Sequence, residues 1–210
     1  SNYGATLPGP SVPMGMASMA PYNTFDMPGH KIHTDAGWCS TPYVYENRYV
    51  AGFTNVNLSG VGCPDFGSLL LMPTTGEAIV EASEYCSELS DQRAEAGYYS
   101  ATVDRYGVLA EMTATERTTR SRYTYPAGTS NILFNIGLGL TNESGGMVRI
   151  VSEREIEGFR IMGGFCYNEP QSVVPVYFVV RLSKPAEIRY WKRLDRRKGI
   201  RHEWEPYSDK

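Results

Sequence analysis

Hydrophobic and polar residues alternate along Tyr106–Arg117, with Val108, Ala110, Met112 and Ala114 in one phase and Leu109, Glu111, Thr113 and Thr115 in the other. Ser130–Leu140 alternates more sharply, placing Ile132, Phe134, Ile136, Leu138 and Leu140 in phase. A period of two predicts strands with one face on a core. Val173–Leu182 (VVPVYFVVRL) is apolar in both phases, which predicts a strand enclosed between layers. Further strands are expected at 67–72, 77–82, 97–103, 119–125, 147–153, 155–163 and 186–191. Turn signals such as Thr75-Gly76, Tyr106-Gly107 and Ser144-Gly145-Gly146 separate them. Only 85–96 (YCSELSDQRAEA) admits a helical reading, and its apolar positions are sparse. Many short strands at regular spacing predict an all-β fold, an antiparallel β-sandwich.

The segment 1–48 is different. Prolines at 8, 10, 13, 21, 28 and 42 forbid a long helix, and such a segment is expected to drape over the domain rather than build its core. The stretch 53–73 opens extended, passes through a loop with Gly60, Gly62, Pro64 and Gly67, and closes on Leu69–Met72. Its constrained backbone presents Asn57, Ser59, Cys63 and Asp65 between two strands. Polar residues in such a loop first serve the turn itself, and Asp65 is expected to position the loop. The charged tail after Tyr190 reads as a solvated or interdomain face, and the chain is expected to be incomplete at both ends.

The 210 residues suit one domain with a sizeable core, and 41% hydrophobic with 20% charged residues excludes wholesale disorder. A net charge of −3 disfavours nucleic acid and anionic membranes as partners. No apolar run reaches the roughly 20 residues of a membrane helix. The chain starts at Ser1 without a signal peptide and reads as trimmed, so a cytoplasmic origin does not follow. Cys39, Cys63, Cys86 and Cys166 form no CxxC pair, which argues against structural zinc; free thiols are expected.

Few residues announce chemistry. There is no GxSxG nucleophile elbow, phosphate loop or dinucleotide fingerprint, and His30 and His33 form an HxxH without a helix. A glycosidase needs two carboxylates about a sugar, and nothing marks such a pair; Glu116 is expected in an ion pair with Arg117 or Arg120. Trp38, Tyr43 and Tyr45 lie in a Gly/Pro-bounded loop, where flat rings suit either stacking on a sugar or packing on the sandwich.

Five blocks, PGPSVPMGMASMAP, GWCSTPY, NLSGVGCPDFGSLLLMPTTG, AGYYSATVDRYGVLAEMTATERTTRSRYTYP and REIEGFRIMGGFCY, resemble in order the N-terminal domain of glycoside hydrolase family 92. The resemblance covers Leu7 to about Trp191. It implies a supersandwich domain, residues 1–210, belonging to a calcium-dependent, inverting exo-α-mannosidase. The catalytic (α/α)6 barrel, with its acid, base and calcium ligands, is absent from this chain, so no catalytic residue and no bound calcium are expected here. The implied partners are that barrel and mannose-containing glycans, and the implied location is periplasmic or secreted, with the bacterial cell surface included. The alternative is a free-standing carbohydrate-binding module.

By the same resemblance Trp38 lies near the leaving-group subsite. The loop with Asn57, Ser59, Gly60, Cys63 and Asp65 lies at the interface with the barrel, where an exposed apolar patch is expected. This chain departs from the family pattern at two positions, with asparagine at Asn55 and Asn57 where histidine is common.

Overall fold

The computed structural model describes residues 6–24, 42–58, 65–140, 145–163, 173–195 and 202–207. Its strands are β1 (Ala17–Pro21), β2 (Tyr49–Val50), β3 (Phe53–Asn57), β4 (Phe66–Ser68), β5 (Leu70–Thr75), β6 (Ser87–Glu95), β7 (Tyr98–Val103), β8 (Val108–Ala114), β9 (Thr119–Thr124), β10 (Ser130–Asn135), β11 (Gly146–Ser152), β12 (Glu155–Gly163), β13 (Val173–Arg181), β14 (Tyr190–Asp195) and β15 (His202–Tyr207). One short helix, α1 (Ala82–Tyr85), and a 3-10 turn at Asp104–Tyr106 interrupt them. Every recorded strand pairing is antiparallel.

Three of the four sheets stack as layers, and β14 pairs with β15 in a two-stranded sheet of its own. A middle sheet runs β1-β3-β5-β10, with β4 paired to β3. On one side lies the sheet β2-β6-β7-β8-β9. Met19, Tyr22, Phe53, Leu70 and Met72 of the middle layer bury against Tyr99, Ala101, Val103, Val108, Ala110 and Met112. The alternation read at 106–117 is the origin of this packing. On the other side lies the sheet β11-β12-β13, where Met162 and Val176 meet Val56 and Leu69, with Phe66, Phe134, Ile136 and Phe178 around them. Burying apolar side chains on both faces of the middle sheet removes most of their area from water, and this holds the sandwich together.

Several sequence expectations need correction. The segment 1–48 does build the core, since all of β1 is buried and Met19 and Ala20 are fully enclosed. The strand expected at 77–82 is absent; Ala82 and Tyr85, three apart on one helical turn, are both buried, and the Tyr85 N–H donates to the Glu81 carbonyl. The stretch 85–96 is chiefly strand β6, whose pairing with β2 and β7 outweighs its weak helical pattern. Strand pairing in the last region begins at Tyr190 rather than 186, after Pro185 and the exposed Glu187–Arg189 ion pair.

The five in-phase residues of 130–140 do not share a face. The strand ends at Asn135, whose Oδ1 accepts the N–H groups of Gly137 and Leu138 at 2.9 Å each. This turn sends Leu138 and Leu140 to the main core while Phe134 and Ile136 pack under the third sheet. Strand β13 is likewise not enclosed. It belongs to an outer layer, whereas β1 of the middle sheet is buried throughout. Among the described residues Glu116 makes no ion pair with Arg117 or Arg120; its carbonyl accepts the N–H groups of Met16 and Ala17.

Candidate functional site

The candidate site is a cluster of polar contacts among the described residues that flank four segments, 25–41, 59–64, 141–144 and 164–172. The ends of these segments are tied together by polar contacts. Asn23, fully buried, donates from Nδ2 to the carbonyls of Val44 (2.8 Å) and Asn47 (2.9 Å), and its Oδ1 accepts the Val44 N–H at 2.7 Å. The Asn23 N–H donates to the Pro42 carbonyl at 2.8 Å, and Asn47 Nδ2 returns a bond to the Asn23 carbonyl. This closes the first segment at its root. The second is closed by β3 against β4, where Asn57 pairs with Phe66. The fourth is closed by β12–β13, with Gly163 opposite Val173, and the Gly145 end of the third is held by the Ile161 N–H, which donates to the Gly145 carbonyl at 2.8 Å.

Cross-links then join the roots to one another. The Tyr22 hydroxyl donates to the Gly139 carbonyl (3.1 Å), and the Leu140 N–H donates to the Phe66 carbonyl (2.9 Å). Arg160, 2% exposed, donates from Nη1 to the Leu138 carbonyl, with its guanidinium lying flat beside Gly139. A Cβ at Gly139 would sit 2.9 Å from Arg160 Nη2, so a side chain there would push the guanidinium out of its place. Gly67 is similarly constrained, at φ +59 with Leu140 and Pro42 against it. Its neighbours Phe66 (φ 59) and Leu69 (φ 57) also take the left-handed region, at a cost of roughly 1–3 kcal/mol each. Packing in the smaller core, between the middle and third sheets, holds them there.

The predicted site residues divide. Trp38, Ser59, Gly60 and Cys63 lie outside the described residues, as do His30, His33, Cys39 and Cys166. Asp65 is 7% exposed, and its Oδ1 accepts the Phe66 N–H at 2.8 Å at the entry to β4. Asn57 Nδ2 donates to the Ser18 carbonyl (2.9 Å) and lies 3.2 Å from Ser18 Oγ, while its Oδ1 accepts from Thr54 at 2.8 Å. Its amide therefore ties β3 to β1. Asn55 does the same across the sandwich, accepting from Thr119 Oγ1 and donating to the Leu69 carbonyl. Both positions noted for lacking histidine thus carry asparagines that bond to backbone and hydroxyl groups.

Tyr45 is 84% exposed beside the first root. Tyr43 is half-buried, and burial, with Tyr45 and Glu46 nearby, raises its phenol above the ordinary value. Cys86 is a buried free thiol, raised by burial, and lies in the main core away from this cluster. Among the described residues no three His, Cys, Asp or Glu side chains come together as a metal-binding group. Those residues do not fit a calcium site. Arg160 and Asn23 were missed in the sequence. Arg160 did leave a signal, a charge standing in phase with Gly158 and Met162 on the inward face of an alternating strand.

A family model described as "Glycosyl hydrolase family 92 N-terminal domain" matches residues 1–204. No curated protein matches the chain. Among solved structures, the family GH92 alpha-mannosidase BT3965 from Bacteroides thetaiotaomicron, in complex with mannoimidazole, is 27% identical with a TM-score of 0.71, covering 88% of this chain and 24% of its own. The GH92 family glycosyl hydrolase ccman5 is 26% identical with a TM-score of 0.71, covering 90% and 26%. The family GH92 inverting mannosidase BT2199 from B. thetaiotaomicron VPI-5482, at 18% identity and TM-score 0.54 over 88% of this chain and 27% of its own, shares the fold. The chain spans about a quarter of the length of these proteins. From Ser1 to Trp204, then, the chain belongs to the glycosyl hydrolase family 92 N-terminal domain family.

Proposed function

We propose that this chain is the sandwich part of a longer exo-α-mannosidase that works with inversion, and that it scaffolds the catalytic part and lends residues to the substrate rim. One observation carries the reading. Mannosidase structures match the chain over almost all of its own length but only a quarter of theirs. The general acid and base of an inverting glycosidase stand on opposite faces of the scissile bond, roughly 6.5–9.5 Å apart. In this reading both, together with calcium, belong to the protein outside these 210 residues. The chain's own contribution is positional. The cluster built by Asn23, Asp65, Leu138–Leu140 and Arg160 holds the roots of the segments bearing Trp38, Ser59, Gly60 and Cys63. Trp38 takes part by stacking and moves no proton. The protein acts in the periplasm or outside the cell.

The test compares the protein from the whole reading frame with residues 1–210 alone on α-linked mannosides. The longer protein is expected to release mannose with inversion and to lose activity on chelation of calcium, whereas the 210 residues alone release none. Calcium-dependent turnover by residues 1–210 would overturn the reading.

A further inference from the structure

Arg160 is the largest side chain fully buried among the described residues. It stands on β12 in phase with Gly158 and Met162, and Met162 belongs to the smaller apolar core. Taking a guanidinium out of water is unfavourable, and an apolar side chain of similar volume would hold such a core as well or better. Stability is therefore a poor reason for a cation here. Geometry is a better one, because a guanidinium is flat, fixes its donor directions and reaches from β12 to a neighbouring element.

That element is the strip Leu138–Leu140, which follows the end of β10 and lies in no strand. Without a ladder of its own, the strip takes its position from its partners. The Leu138 carbonyl accepts from Arg160 Nη1 on the third sheet. The Gly139 carbonyl accepts from the Tyr22 hydroxyl, just after β1, and the Leu140 N–H donates to the Phe66 carbonyl at the start of β4. Leu140 also lies against Gly67, where an added Cβ would meet Leu140 Cγ at 2.8 Å and Pro42 Cβ at 3.2 Å. At Gly139 an added Cβ would have Arg160 Nη2, Nη1 and Cζ as its nearest neighbours, at 2.9, 3.1 and 3.2 Å. Gly139 takes no positive φ, so alanine there disturbs the guanidinium rather than the backbone.

We propose that Arg160 is a positioning residue of the enzyme: through Leu138–Leu140 it sets the spacing between the chain ends at Tyr22, Pro42 and Phe66–Gly67, and thereby how tightly substrate is held. The inference rests on the reading above for its kinetic part alone. The segments bearing Trp38, Ser59 and Gly60 continue from these ends, and in that reading they meet the sugar without moving a proton. A slackened strip then weakens the hold on substrate and leaves bond breaking, which belongs to the rest of the protein, as it was.

The test uses the protein from the whole reading frame and the variants Arg160→Met, Gly139→Ala and the two combined. Hydrogen exchange at the Leu140 amide, which donates to the Phe66 carbonyl, reports the strip without any need for activity. It should quicken about tenfold or more in each single variant while β7 and β8 keep their protection, and Gly139→Ala should add less than about twofold in the Arg160→Met background. On an α-linked mannobiose, each single variant should raise KM about fivefold or more with kcat within about twofold. Leu140 exchange unchanged, exchange quickened alike throughout the chain, fully additive effects of the two substitutions, or a fall in kcat at constant KM would each overturn the role. If Arg160→Met does not fold, Gly139→Ala decides by the same exchange and kinetic results. An unsubstituted protein that releases no mannose sinks the mannosidase reading and this role with it, whereas one that releases mannose with KM unchanged in the variants sinks this role alone.

Discussion

Asn23 ties the chain after β1 to the 44–47 turn. Fully buried, its side chain answers two carbonyls and one N–H from the 44–47 turn. Asn23→Ala leaves those groups without partners in a dry site and should cost roughly 2–4 kcal/mol, read as a lowered denaturant midpoint. Glu111 illustrates a surface counterpart. Arg122 and Tyr98 bond to its carboxylate and hold it below the ordinary glutamate range. A depressed folded value means that the stabilising contribution is full above the unfolded glutamate value and disappears as pH falls through the folded one. The stability gap between the native protein and Glu111→Gln should therefore be present at pH 7 and close on acidification below about 4.3. A gap that widened toward acid would contradict this. For Trp38, stacking on a sugar is worth about 1–2 kcal/mol. Trp38→Ala in the longer enzyme should then lower kcat/KM by about ten- to thirtyfold on disaccharides and by less on aryl mannosides with activated leaving groups. Equal losses on both, with a lowered Tm, would identify a packing tryptophan instead.

At the scale of elements, pairing repeatedly overruled local preference. The stretch 85–96 has the composition of a helix as much as of a strand, and β7 made it a strand by offering partners from Leu89–Val103 to Glu95–Tyr98. That pairing required an extra residue, a bulge between Ser90 and Arg93 with Asp91 at φ 48. Asp91 is exposed and spends backbone strain to be there, so Asp91→Gly should be neutral to stabilising by up to about 1 kcal/mol, measured by chemical denaturation. A loss larger than that would mean the Asp91 carboxylate matters to β7. Strand β10 shows a different override, since an asparagine turn ended an alternation that the sequence alone would have carried on to Leu140.

For the whole molecule, the three layers are unequal. Among the described residues the main apolar core joins 17 buried residues, whereas the apolar cluster between the middle and third sheets has four, Val56, Leu69, Met162 and Val176. Met162→Ala should remove about 2–4 kcal/mol from that smaller core. Hydrogen exchange should then quicken in β11–β13 and stay unchanged in β7 and β8. Uniform quickening would show the layers unfolding as one.

The alternation of Val108–Ala114 and the many short strands between turn signals indicated from sequence alone a half-buried antiparallel β-protein, because a period of two leaves a chain few other ways to hide its apolar side chains. Five ordered motifs likewise carried the family. Which strands became the middle layer was not written locally. β1 came from a proline-rich segment and is buried throughout, while β13, apolar in both phases, lies outside. Burial on the second face depends on which sheet stacks above, a contact between residues distant in the chain. The same holds for the candidate site. Asn23, Leu138–Leu140 and Arg160 are up to 137 positions apart (160 − 23), and only the stacking of three sheets brings their backbone and side-chain partners within hydrogen-bonding distance.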